Sequence, residues 1–380
     1  MPLPKKKIQP VAAEKKAEPN QTLELVWRLT QTIGPSGYEH RAALAAKQEL
    51  AKYADEVVID KVGSVVALKK GSQKGPDRKK ILLAAHVDEI GLMVTGVEPG
   101  GFLRFTQIGG FDARVLLAQE VYVHPVSRHG VSTTIQYPGI IGAKPPHFQS
   151  AAESEAVIPM EDLYIDAGMD AAQVKTKISV GDIATIRAPF VILKNDRAAG
   201  KAMDDRACVA VMVKALEYLR KVNHSWDVYA VASVQEEEGM ACLGALTSTY
   251  NVRPDIGIAV DGTHADMPMA LEHETFLLGK GPTIAMGPNL HPAVVDKLKD
   301  VAKKEEIPWQ LEPVAGVTGA DAMDIQVALE GVPSGLISPP MRYMHTPVET
   351  IAAADIDRAG RLLARFIQEL DDIKLEWNDD

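Results

Sequence analysis

Continuous apolar runs of strand length recur along the 380-residue chain, and stretches of helical periodicity separate them. KKILLAAHVDEIGLM (79–93), DVYAVASVQ (227–235) and DIGIAVDG (255–262) carry no polar alternation through their cores, as strands buried on both faces require. PSGLISPP reads as a further strand. Helical spacing marks Arg206–Val222 (Val209, Met212, Val213, Leu216, Leu219) and 353–373 (Ile356, Leu362, Leu363, Phe366, Leu370). It also marks 292–306, which opens on Pro292, and 321–331, which stops at Gly331. Near the start, LELVWRLTQTI spaces Leu25, Leu29 and Ile33 helically and ends at Gly34-Pro35-Ser36-Gly37. Strands alternating with helices predict an α/β fold with a mixed, mostly parallel sheet flanked by helices.

One stretch breaks this texture. From 94 to 186 the runs are short and rich in Val, Thr, Phe and Tyr, with Gly, Pro, Asp and Asn between them. This predicts a small β-rich domain with hairpins. The expected organisation is an α/β domain of 21–93 plus 187–380 with 94–186 inserted. Residues 1–20 hold five Lys against Glu14 and Glu18, lack an apolar core, and read as a disordered basic tail and not a secretory signal. At about 150 residues per domain the length suits two domains.

Composition narrows the chemistry. The net charge of −10 argues against a nucleic-acid footprint, and no apolar run reaches the roughly 18 residues of a membrane span. Cys208 and Cys242 are the only cysteines. A disulfide framework and a Cys-rich zinc finger are therefore excluded, and a reducing, cytoplasmic setting is expected. Both thiols read as buried and structural. Any metal site must use histidines and carboxylates.

Such residues stand where the apolar runs stop. His86 and Asp88 end the first, Glu236, Glu237 and Glu238 the second, and Asp261 the third. Ligands of open α/β sheets collect at the carboxyl ends of the strands. Several carboxylates buried together need a cation. His86 and Asp88 share a strand face, which lets the carboxylate steady a metal-bound imidazole. Asp204 in KAMDDR precedes a helix, and one oxygen could face each of two cations. His345 in RYMHTP could add a second imidazole. Each motif alone also fits a plain structural role: a solvated strand-end acid, a helix N-cap at Asp204, a solvated acidic loop at 236–238, a structural histidine at 345. Together they give the ligand set His86, Asp204, Glu237, Asp261 and His345. Two imidazoles and three carboxylates suit two divalent ions, with Zn²⁺ expected and Co²⁺ or Mn²⁺ as substitutes. His264 and Met267 are candidates for the pocket wall, and His147 for a subunit contact.

The order of motifs resembles a known family. GPSGYEH (34–40), AAHVDEIGLMV (84–94), GGFLRFTQIGG (100–110), KAMDDR (201–206), VQEEEG (234–239), VDGTHADMP (260–268), GKGP (279–282), TGADAMDIQ (318–326) and MRYMHTPVE (341–349) carry the likeness. They resemble the tetrahedral dinuclear metalloaminopeptidases, family forty-two of the metallopeptidases, over residues 22–370. The resemblance implies one metal each on His86 and Asp261, a bridging Asp204, and Glu237 and His345 completing the set. It implies Glu236 as general base and Asp88 as the residue orienting His86. It further implies that the β-rich insertion dimerises and that dimers build a hollow tetrahedral dodecamer with sites facing inward. The implied reaction removes the N-terminal residue from peptides with a free amino terminus, by attack of a water held between the two metals. Three departures bear on pocket shape and remove no ligand: Glu238 where an apolar residue is usual, the MACLGA segment after it, and ACVA after Arg206.

Alternatives differ in class. A two-metal deacylase or carboxypeptidase could use the same ligands. An endoglucanase-type glycoside hydrolase needs opposed carboxylates and a sugar-stacking cleft, against 5% aromatics here. A non-catalytic peptide-binding scaffold would not need the base.

Overall fold

The computed structural model describes residues 20–375 except 76, 128–129, 132–134 and 240. The expected basic tail therefore lies outside the described residues apart from Asn20, which caps the first helix, Gln21–Thr30, through its side chain. An eight-stranded sheet runs in the order Glu56–Ile59, Val65–Lys69, Asp227–Ser233, Lys80–His86, Ile256–Val260, Ser334–Ser338, Thr283–Met286, Gln310–Pro313. Its four central strands, Asp227–Ser233 to Ser334–Ser338, are parallel. The first two strands and the Thr283–Met286 junction supply the antiparallel pairs.

Side-chain alternation explains the apolar runs. Ile81, Leu83 and Ala85 pack into the core that includes helices Met203–Leu219 and Ala353–Gln368. Leu82 and Ala84 face the opposite way, toward Cys242, Ala245, Val252 and Ile325. Both faces are covered, so polar alternation has no place. His86 ends the strand in phase with Leu82 and Ala84.

The apolar stretch 79–93 is not one strand. It ends at His86, and Gly91 opens Gly91–Val97 in a different sheet. The chain is pinned between them by Glu89, whose N–H donates to the Gly34 carbonyl and whose carbonyl accepts from Ser36 N–H. Gly91–Val97 joins Leu103–Ile108, Tyr164–Asp166, Tyr137–Gly142, Glu120–His124 and Ile183–Ile186 in a closed barrel. Leu92, Val94, Leu103, Phe105, Val121, Val123, Ile141 and Ile165 fill it as a core of its own. The C-terminal helices run close to expectation, except that the one opening at Asp321 stops at Val327 and the chain turns at Gly331, φ +98°. Among the described residues no helix is long and apolar enough to cross a membrane.

Candidate active site

Three neighbouring parallel strands deliver three of the expected motifs to one place. His86 ends its strand, Asp261 follows Ile256–Val260, and Glu236 and Glu237 follow Asp227–Ser233. Asp204 arrives from the first turn of Met203–Leu219, where Asp204 and Asp205 depart from helical backbone and are joined by a cis peptide. His345 comes from the loop after Pro340–Met341.

Asp204 lies between two imidazoles. Its Oδ1 is 3.3 Å from His86 Nε2 and its Oδ2 is 3.6 Å from His345 Nε2. His345 Nε2 is also 3.5 Å from Glu237 Oε2. Ligand atoms of His86, Asp204 and Asp261 lie within 4.8 Å of one another, and so do those of Asp204, Glu237 and His345. All five expected ligands are thus brought together in two triads that share Asp204. Glu236 Oε2 stands 3.9 Å from His86 Nε2, beside the triad of His86, Asp204 and Asp261.

Asp88 has two contacts. It sits 3.4 Å from His86 Nδ1 without hydrogen-bond alignment. It also accepts the backbone N–H of Glu236 at 3.1 Å and of Glu237 at 3.0 Å, which fixes the glutamate loop to the histidine strand.

Burial dominates the electrostatics. It pushes the carboxyl of Glu236 up to about 7, and those of Glu237 and Asp261 well above the ordinary range, with negative neighbours adding to the effect. Asp321, buried behind them, is raised to about 6. Burial would lower His86, but the facing Asp204 and Asp88 outweigh it and hold the imidazole pKa well above its ordinary value. Burial would raise Asp88, yet His86 and the two N–H donors keep it low. The cluster holds more buried carboxylates than its one fully buried imidazole can neutralise. The donors are all oxygen and imidazole nitrogen, in two sets, with a separate oxygen of Asp204 turned to each. These residues fit two divalent cations.

Several residues at the site escaped sequence reasoning. Glu349, quoted within MRYMHTPVE but given no role, accepts N–H bonds from Met203 (2.7 Å), Asp204 (3.1 Å) and His345 (3.0 Å). It ties together the two loops that carry Asp204 and His345. Asp205 accepts the His86 N–H at 3.2 Å, and Ser233 Oγ donates to Asp321 at 2.6 Å. Cys242 is buried as expected, but its thiol lies 3.6 Å from Glu236 Oε1 as a donor. Glu238 is exposed and accepts the Gly109 N–H, just past the barrel strand Leu103–Ile108. The one available signal was an acidic residue beside a ligand motif. His264 and His147 are exposed, and Met267 is half-buried.

Comparison with known proteins agrees with this arrangement. Residues 63–362 match the M42 glutamyl aminopeptidase family. The chain is 36% identical over 353 residues to the lysyl aminopeptidase of Pyrococcus furiosus, covering 91% of this chain and 97% of that protein. Among solved structures, an aminopeptidase from the archaeon Desulfurococcus kamchatkensis is 40% identical with a TM-score of 0.82, covering 92% of this chain and 95% of the other. The TET peptidase of Pyrococcus horikoshii, described as assembling into a tetrahedron or a large octahedral shell, is 29% identical with a TM-score of 0.78 over 92% of this chain and all of that one. The fold, the clustered ligand motifs and likeness over nine-tenths of the length agree, and the chain belongs to the M42 glutamyl aminopeptidase family of peptide-bond hydrolases.

Proposed function

We propose that the protein removes the N-terminal residue from peptides with a free amino terminus, with two divalent cations held by His86, Asp261, Asp204, Glu237 and His345. The observation that carries this reading is Asp204, whose two oxygens face separate imidazoles at 3.3 and 3.6 Å. Zinc suits the donor set, and cobalt or manganese could replace it. When bound, such ions polarise the scissile carbonyl and acidify water.

The protein's own groups do the rest. Glu236, next to His86, takes the proton of the attacking water on a carboxylate oxygen and later hands it to the leaving amine. The Cys242 thiol donates to the other oxygen and helps fix the rotamer. Asp88 holds the Glu236 and Glu237 amides and, 3.4 Å from His86 Nδ1, is the carboxylate placed to orient that ring once a hydrogen bond forms. The surplus of buried acids favours a cationic α-amino group at the same place, which selects the chain terminus over internal peptide bonds. The described insertion, taken as 94–186, serves as the dimerisation domain. Subunits close into a hollow dodecamer with the sites inside, and the likeness to the TET peptidase, which can assemble into a tetrahedron or a large octahedral shell, supports a closed shell. The two unpaired, buried thiols suit a cytoplasmic protein.

The test is Glu236→Gln, assayed on amino-acid amides and on the same peptides with a free or an acetylated terminus. The variant should retain two metal equivalents and lose about 10²–10⁴ in kcat. Wild-type turnover in the variant removes the base assignment. Faster cleavage of acetylated than of free peptides by the unmodified protein replaces the aminopeptidase reaction with a deacylase one.

A further inference from the structure

The barrel reaches the catalytic cluster at one loop. Leu103–Ile108 ends there, and Gly109 and Gly110 lead toward the short helix Ala113–Leu116. Gly109 N–H donates to Glu238 Oε1 at 2.7 Å. Gly110 carbonyl faces His345 Nδ1 at 3.0 Å. A carbonyl only accepts, so Nδ1 carries the proton, and a neutral imidazole then presents a bare Nε2. Nε2 is the atom that faces Asp204 and Glu237.

His345 needs such support more than the other ligands. Its side chain is 42% exposed, whereas those of Asp204 and Glu237 are 5% and 6% exposed and that of His86 is 3%. Packing alone does not select its rotamer, so the hydrogen bond on the far ring nitrogen must. The loop that supplies this bond is itself constrained. Gly109 has φ +77°, and a Cβ there would lie 2.6 Å from the Ile90 side chain. A Cβ on Gly110 would lie 3.2 Å from His345 Nδ1.

We infer that Glu238 is a positioning residue, which through Gly109 and Gly110 of the barrel holds the His345 imidazole in register with Glu237. Two ligands of one triad come from loops more than 100 residues apart in sequence. The barrel loop joins them, one hydrogen bond to each side. A domain otherwise remote from the chemistry thereby becomes part of the site. The inference rests on the two-cation reading above.

The test is equilibrium zinc titration of the metal-depleted full-length protein against a chelator of known affinity, with melting curves to verify folding. Wild type should bind two equivalents. Glu238→Val removes the acceptor and should weaken one equivalent about tenfold or more while leaving the other unchanged. Glu238→Gln keeps an acceptor oxygen without the charge and should restore both. Gly110→Ala, with Glu238 intact, should produce the same selective loss by displacing the imidazole. Two unchanged equivalents in Glu238→Val overturn the inference alone. So does equal weakening of both, or a Gln variant as weak as Val, which would make the charge and not the hydrogen bond responsible. A wild-type protein that binds a single equivalent overturns the two-cation reading and this inference with it.

Discussion

Glu39 illustrates how single residues couple the site to pH. It is 6% exposed, and burial together with the nearby Asp88 charge lifts its carboxyl from 4.5 to about 7. Its Oε1 accepts the N–H of Gly37 at 2.7 Å and of Gln235 at 3.1 Å, one residue before the proposed base. The folded protein holds this proton at a pH where the unfolded chain has released it. The stabilising contribution is therefore complete below about 4.5 and is lost as pH rises through about 7. Glu39→Gln keeps an acceptor and never ionises. Relative to wild type it should be neutral near pH 4.5 and gain stability toward pH 7.5, by up to about 3 kcal/mol. Urea denaturation of both proteins across that range measures the gap, and a gap that shrinks with rising pH would contradict the assignment. The acids nearest the proposed cations follow related logic. In the proposed site protons compete with metal at the ligands Glu237 and Asp261, both raised by burial. Zinc affinity should therefore fall when pH is lowered from about 7 to 5, with protons released on binding. A pH-independent affinity in the chelator competition would count against these ligands.

At the scale of elements, one side chain fastens three segments. Arg206 is fully buried in the first turns of Met203–Leu219. Its guanidinium donates to the carbonyls of Val87 (2.8 Å), Thr32 (2.6 Å), Leu29 (3.3 Å) and Gly34 (3.3 Å), and stands 3.3 Å from Glu89. Glu89 is shared with Lys201 at 2.5 Å. The end of the first helix, the turn after it and the strand end bearing His86 and Asp88 are thus set against the helix bearing Asp204. Arg206→Met should cost about 3–5 kcal/mol, because it takes one of two cations from the buried Glu89 carboxylate and leaves four carbonyls without their donor. Arg206→Lys should recover only part of this, since an ammonium lacks the planar fork. Chemical denaturation decides, and a Met variant within about 1 kcal/mol of wild type would refute the role.

The same residue marks the limit of what was legible in sequence. Helical spacing located Met203–Leu219 and Ala353–Gln368, the polar residues that end buried strands located His86, Glu237 and Asp261, and the KAMDDR and RYMHTP motifs supplied Asp204 and His345. Those signals are local, because period and strand ends are written within ten or so residues. The break within 79–93 is not local. It is imposed by Gly34 and Ser36, which pair with Glu89 from more than fifty residues away. Arg206 and Glu349 went unrecognised for the same reason, because their partners are backbone groups distant in the chain.

For the whole molecule, the barrel is the element with surface to spare. Ile140, Phe148 and Val157 are 57%, 74% and 62% exposed, on a domain whose interior is already filled by its own core. Scattered apolar side chains are ordinary on monomers, but each would contribute roughly 1.5–3 kcal/mol if fully covered by a second subunit. With the barrel as dimerisation domain, Phe148→Glu combined with Val157→Glu should leave the circular dichroism of the subunit unchanged. The mass measured by light scattering should fall from a multiple of twelve subunits to small species. Activity offers an independent reading of the same event. Sites facing the inside of a closed shell admit short, unfolded peptides more readily than long ones. The ratio of rates on long to short peptides should therefore rise when the shell opens, while the rate on single amino-acid amides stays within about twofold of wild type, because no ligand or base has been touched. A wild-type protein that remains monomeric at micromolar concentration would remove the shell, and a double variant of undiminished mass would move the interface off this face of the barrel.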